Sequence, residues 1–189
     1  MNPTPRKLEI ITIASALFKD KGFSAVTMRD IAKAMGIKAA SLYNHIKNKE
    51  EILTFIIISL AEEFINGIDE IKEENNTCID KLKKIIALHV DIATRNTNGM
   101  ASLNNDCMHL KDQLDYYLTL RVNYEDTFRT IINEGIKKNE IKSINSDIML
   151  FSILSTLRSL YIWIPQKEDM NSSLLATNLS EVLLKGINK

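Results

Sequence analysis

Cysteine is almost missing from this 189-residue chain. Cys78 and Cys107 are the only two, too few for a disulfide framework and without the paired spacing of a metal-binding knuckle, so a reducing, cytoplasmic setting is expected. Three prolines and six glycines leave little material for a turn-rich β architecture. The N-terminal residues lead into an amphipathic segment and not into the apolar core of a secretory signal. The most apolar run read from the sequence, residues 52–61, is about half as long as a membrane span requires, and no membrane partner is expected. Asp106, Cys107, Met108 and His109 lie together, but consecutive residues rarely converge on one ion, so no metal is expected. No nucleophile–base–orienter set and no glycine-rich phosphate loop is visible, which leaves an enzyme or a cofactor carrier without support.

Net charge is also missing, yet its distribution is uneven. Residues 1–50 carry nine Lys and Arg against four Asp and Glu, whereas the remaining 139 carry fifteen against twenty. A basic head on an acidic body is the electrostatic pattern of a phosphate-binding module joined to a separate partner or ligand domain. Apolar residues recur at helical spacing nearly throughout, which predicts an all-α protein of about nine helices. Leu8, Ile11, Ala14, Leu17 and Phe18 mark the first, stopped at Gly22. Thr27, with Asp30 three residues on, opens a short second helix that Gly36 stops. A third covers residues 38–45, and a long fourth begins after Asn48 and runs to about residue 74. Further helices are predicted over residues 77–95, 100–108, 114–135, 148–164 and 172–186.

Two short helices joined by a glycine turn let the second cross the first and project into a major groove. Lys38, Ala39, Ala40 and Ser41 supply the small leading edge and the donors that such a reading helix needs. Thr27 can offer a hydroxyl at a helix start, while Tyr43, His45 and Lys49 lie where phosphate contacts would fix register. Any pair of short helices can be mere packing, but the run here is more specific. The stretches Phe18-Lys19-Asp20-Lys21-Gly22-Phe23, Thr27-Met28-Arg29-Asp30-Ile31-Ala32, Ser41-Leu42-Tyr43-Asn44-His45-Ile46 and Lys49-Glu50-Glu51-Ile52-Leu53 resemble the DNA-binding domain of the TetR family of regulators. Met35 and Ile46 depart from the family's usual alanine and phenylalanine and alter only packing. The resemblance implies that Thr27, Arg29, Lys38, Ser41, Tyr43, His45 and Lys49 face DNA, with Ala39 and Ala40 at the groove edge. It further implies a helix-turn-helix domain over residues 1–47, then a ligand-binding and dimerisation domain over 48–189. The partners implied are operator DNA, a small-molecule effector and a second copy paired through the last two helices.

The segment over 148–164 is apolar on almost every side, in keeping with a helix covered by more than one neighbour. The stretch 154–165 with 183–187 resembles the subgroup that answers fatty-acyl or sterol-derived CoA thioesters, although Arg158 and Ile162 depart from it. Met100, Met108, Tyr117, Arg121, Tyr124, Phe128, Arg158 and Trp163 are the candidate pocket residues. Most side chains of this kind are ordinary core. Arg121 and Arg158 sit in apolar stripes, so each meets an anionic ligand or pairs with an acid such as Glu125 or Asp147. The function expected is a repressor released from its operator by a small apolar or acyl-type ligand. The alternative is a constitutive DNA-binding or protein-interaction module of the same fold with no inducer.

Overall fold

Side-chain caps set the helix boundaries in the N-terminal region. Thr4 accepts from the Lys7 N–H and Pro5 occupies the first turn of α1 (Pro5–Lys21), which ends at Gly22 with φ +80°. A short 3₁₀ turn, Phe23–Ala25, leads to Thr27. There the hydroxyl and backbone N–H of Thr27 both donate to Asp30, whose own N–H returns to the hydroxyl, closing a capping box on α2 (Met28–Ala34). Gly36, at φ +66°, turns the chain towards α3 (Ala39–Leu42), a left-handed position that a side chain rarely adopts. Asn48 accepts from the Glu51 N–H and starts α4 (Lys49–Glu73).

The computed structural model describes residues 3–167 and 171–185, and the chain divides into two compact units. The first is Met1–Leu60 with Asn98–Tyr117. Its core is Ile10, Ala14, Phe18, Phe23, Ile31, Leu42, Ile46, Leu53 and Ile57, all buried. It takes in most of α6 (Thr97–Asn105) and two 3₁₀ turns, Cys107–His109 and Lys111–Gln113.

The second unit is Ala61–Thr97 with Leu118–Lys189. Within it, α5 (Cys78–Arg95), opened by Thr77 and Asp80, packs against α10 (Ser172–Lys185) and also touches α8 (Ser146–Arg158) and α9 (Leu160–Trp163). The bulk of α7 (Leu114–Lys137) supplies Phe128, Ile131 and Ile132 to the same core. Gly67 lets α4 approach Leu88 closely: a Cβ there would lie 2.6 Å from Leu88 Cδ2. No strand is present among the described residues.

The all-α expectation holds. Nine rods are seen among the described residues if α9 is counted with α8. Their separation at Ser159 comes from i→i−3 bonding, in which Ser159 N–H donates to Thr156 O and Ile162 N–H to Ser159 O. The expected helix over 100–108 lies earlier, because Asn96 ends α5 and α6 starts at once. The expected helix over 38–45 is shorter, its end tightened into turns on the Leu42 carbonyl. A second apolar segment is longer than the run at 52–61. Ser146–Gln166 is long and apolar enough to cross a bilayer by length and composition, with mean hydropathy 1.5. Its two charges, Asp147 and Arg158, are tied to Arg129 and Glu125 of α7, so one side of this segment is a wall of the helical unit.

Candidate nucleic-acid interface

Leu42 and Ile46 pin α3 to the core of the first unit, and everything between and before them turns outward. Lys38, Ala40, Ser41, Tyr43 and His45 are exposed and Ala39 is half-buried; Tyr43 shows 56% of its surface. Thr27 and Arg29 at the start of α2 are exposed as well. Arg29 and Lys38 have no ion-pair partner among the described residues, while the charge of Lys47 acts on Glu51. The arrangement offers one short helix with small leading side chains, flanked by unpaired cations, which suits a groove edged by phosphates.

Two of the expected contacts are changed by what the side chains already do. Lys49 turns inward. Its ammonium donates to the carbonyls of Phe23, Ser24 and Val26 at 2.8, 3.2 and 2.9 Å and lies 4.4 Å from the Phe23 ring centroid. Three N–H donors meet three acceptors, which leaves none for a phosphate. Thr27 keeps its hydroxyl proton on Asp30, and that hydrogen bond holds the Asp30 carboxyl below its ordinary range. Glu51 anchors the same region. Burial pushes its carboxyl up, but hydrogen bonds from Lys7 Nζ and the Lys47 N–H outweigh this and hold it low.

Of the eight candidate pocket residues, Met100, Met108 and Tyr117 belong to the first unit and the other five to the second. Met100 is buried in the first unit, whereas Met108 leaves 72% of its surface exposed. Tyr117 is buried at the end of that unit. In the second unit Tyr124 and Phe128 are core, and Trp163 is partly exposed with Lys167 5.3 Å from its ring. Arg121 is exposed, because the buried stripe of α7 runs through Tyr117, Leu120, Tyr124 and Phe128, and Arg121 lies beside it. Both arginines donate to one oxygen of Glu125, Arg158 at 2.6 Å and Arg121 at 3.1 Å, and this is the ion-pair alternative.

His89 lies on α5. It is 4% exposed, stacked on Phe64 with centroids 4.5 Å apart, and its Nε2 lies 2.8 Å from the Tyr124 hydroxyl. Nδ1 has no partner among the described residues. Burial, aided by the charge of Arg158, lowers the imidazole pKa to about 3, so the ring is neutral; burial also raises that of the Tyr124 phenol. A groove of about 780 Å³ lies between α5 and α10, on the side of α5 carrying Lys84, Ala87 and Val90, with Ala176 and Leu184 opposite.

A buried-cored head of one 17-residue helix and two short ones, presenting a small-residue helix among cations and joined to a larger helical unit, is a helix-turn-helix DNA-binding regulator. Residues 10–54 match the description of bacterial regulatory proteins of the tetR family, and residues 75–187 match that of the tetracyclin repressor-like C-terminal domain. The chain belongs to the TetR family. It is 25% identical over 193 residues to the fatty acid metabolism regulator protein of Bacillus subtilis strain 168, covering 97% of this chain and 96% of that protein. Among solved structures it superposes on the ketosteroid transcriptional regulator KstR2 of Mycobacterium tuberculosis with a TM-score of 0.93 at 19% identity, over 100% and 97% of the two chains. The fatty acid degradation regulator FadR of Bacillus halodurans gives 0.71 at 19% identity, with 97% of each chain covered.

Proposed function

We propose that the chain is a cytoplasmic, homodimeric repressor that leaves its operator when a small apolar or acyl-type ligand enters its helical body. The family assignment and the free cations around the exposed α3 are the observations that carry the DNA half of this reading. Residues 1–47 serve as the DNA-binding domain, with Lys38 and Ser41 reading base edges and Arg29, Tyr43 and His45 holding phosphates. Residues 48–189 bind ligand and dimerise. The relatives named for fatty acid metabolism and for ketosteroid regulation support an apolar or acyl ligand.

The dimer is proposed to form through the last two helices. Ile148, Phe151 and Ile162 line one face of α8 and α9, Leu174 and Val182 one face of α10, and all five are exposed large apolar residues. A two-fold pair covers both faces and sets two reading helices about one DNA turn apart. Ligand then acts by favouring a conformation whose half-site separation no longer fits, a coupling of about 1–3 kcal/mol. Helix α4 is the lever, since it begins beside the reading head and continues into the second unit. The packing of His89 against Phe64 and Tyr124 favours the alternative reading, in which the body is a filled core and the chain binds DNA constitutively.

Selection of preferred duplexes from a random DNA pool tests both halves. Lys38→Ala and Ser41→Ala are expected to change the selected sequence, whereas Tyr43→Phe weakens every duplex alike by about 1 kcal/mol. Unchanged preference in both of the first two variants removes α3 as the reader. Release of the selected duplex by fatty acids or acyl thioesters supports the inducer, and no release by these or by hydrophobic drugs leaves the constitutive module.

A further inference from the structure

One polar atom inside the second unit is left unanswered. His89 leaves α5 on the side away from the α5–α10 groove and meets Phe64 of α4 and Tyr124 of α7. Its Nε2 is 2.8 Å from the Tyr124 hydroxyl, whereas its Nδ1 is buried with no partner among the described residues. That single hydrogen bond also fixes what Nδ1 carries. A phenol has one proton to give, and a neutral imidazole has one donor and one acceptor nitrogen. Were Nε2–H to donate to the Tyr124 oxygen, the phenol proton and the Nδ1 lone pair would both stand idle. With the phenol donating to Nε2, only Nδ1–H stands idle. The second arrangement leaves one group unanswered instead of two. Burial keeps the ring from taking up a further proton, so Nδ1–H is an orphan donor among aromatic rings.

We propose that His89 Nδ1–H is the donor that selects the effector, and that the molecule it takes is an uncharged apolar chain or ring bearing a carbonyl oxygen. The inference rests on the inducer reading above and names the chemistry of that ligand. Phe64, Tyr124 and Phe128 surround the site with ring faces and edges, and the Tyr124 hydroxyl is already spent on Nε2. A bare hydrocarbon would leave Nδ1–H idle, whereas a carbonyl oxygen answers it. An ionised carboxylate fits worse. Arg158, whose charge reaches His89, is bound to Glu125 at 2.6 Å, so a buried anion would lack a neutralising partner of its own. Gly67 seats the backbone of α4 closely on Leu88. Room beside the imidazole therefore comes from Phe64 turning its side chain to another rotamer, and not from the helix backing away.

Two measurements on the full chain decide the matter. The chain has three histidines, and His45 and His109 are exposed, so replacing both with glutamine leaves the His89 ring as the sole imidazole signal in a nitrogen-15 spectrum. At pH 7 that ring is expected to show a protonated Nδ1 and a bare Nε2, and a protonated Nε2 overturns the proposal. Methyl nonyl ketone or cyclododecanone should move the Nδ1 signal, and undecane or cyclododecane should not. In thermal-shift titrations His89→Gln, whose amide lies at the Nε2 position and offers nothing at Nδ1, is expected to weaken the ketones about tenfold and the hydrocarbons less than about threefold. Equal weakening of ketone and hydrocarbon in both pairs overturns the proposal, as does a wild type that binds neither ketone. Release of the selected duplex separates this inference from the reading beneath it. A ketone that binds through His89 yet leaves the duplex bound defeats the inducer, while the donor stands. A ligand that releases the duplex equally from wild type and His89→Gln keeps the inducer and removes His89 as its selector.

Discussion

The reading head and the last helices put their apolar residues to opposite use. In the head most large aliphatic and aromatic side chains from Ile10 to Ile57 are buried, with Tyr43 exposed, and the outward positions of α2 and α3 are mostly small, polar or cationic. On α8 and α10 a second apolar face remains open after the core is filled: Phe151 is 72% exposed and Val182 74%. A surface finished in polar groups is suited to a hydrated, charged partner, whereas an open apolar face is suited to a partner that excludes water. The two ends of the chain thus differ in the solvent they are made to meet.

The contrast breaks first at Phe151. Phe151→Glu is expected to yield monomer at micromolar concentration, with a sedimentation mass near the 21.5 kDa of one chain and not twice that value. Two rings per dimer, each contributing about 2 kcal/mol of burial, would be replaced by two charges, so dimer affinity falls by about three orders of magnitude. A variant that still sediments as a dimer assigns the apolar face to something else.

The next effect is inside the head. Lys49→Met keeps the apolar stem over Phe23 and removes three N–H donors from three carbonyls, which should lower unfolding free energy by about 2–3 kcal/mol in a denaturant titration. Lys7→Met, which loses only the half-exposed pair with Glu51, should cost under about 1 kcal/mol. Equal losses in the two variants would mean that Lys49 is no more than another surface cation.

The third effect belongs to the body. With its pKa lowered from 6.5 to about 3, His89 is neutral in the folded chain, and the unfolded chain takes up the proton first. Stability from this group is therefore complete above pH 6.5 and declines as pH falls towards 3, by about 2 kcal/mol between pH 7 and pH 5. His89→Phe should lower stability at pH 7, since Tyr124 loses its partner, yet flatten that acid limb. A limb of unchanged slope would place the titrating group elsewhere.

The head was legible because its signals are local. A capping box, two glycines at positive φ and the alternation of buried and exposed residues over a few turns all lie within reading distance of one another. What escaped depends on long-range partners. Lys49 sits in a stretch of exposed polar residues, and only the return of Phe23, Ser24 and Val26 beneath it shows why it turns in. On α7 the apolar stripe in which Arg121 was placed mixes two faces, since the buried one passes through Leu120 beside it. Periodicity locates a stripe, but on a helix with apolar residues on two sides it does not say which side is inside. The pairing of His89 with Tyr124, 35 residues on, is likewise invisible to spacing.

The packing of Phe23 against the His109 ring, 5.0 Å between centroids, has a consequence for transplantation. Regulators built from a separable head invite the exchange of operator specificity by cutting before the fourth helix and grafting a foreign head onto the body. In this chain such a graft would set a foreign side chain in place of Phe23 against the His109 ring, because residues 98–117 belong to the same compact unit as the head. A workable chimera therefore has to carry the pair from one parent, which makes the unit of exchange two pieces of sequence and not one.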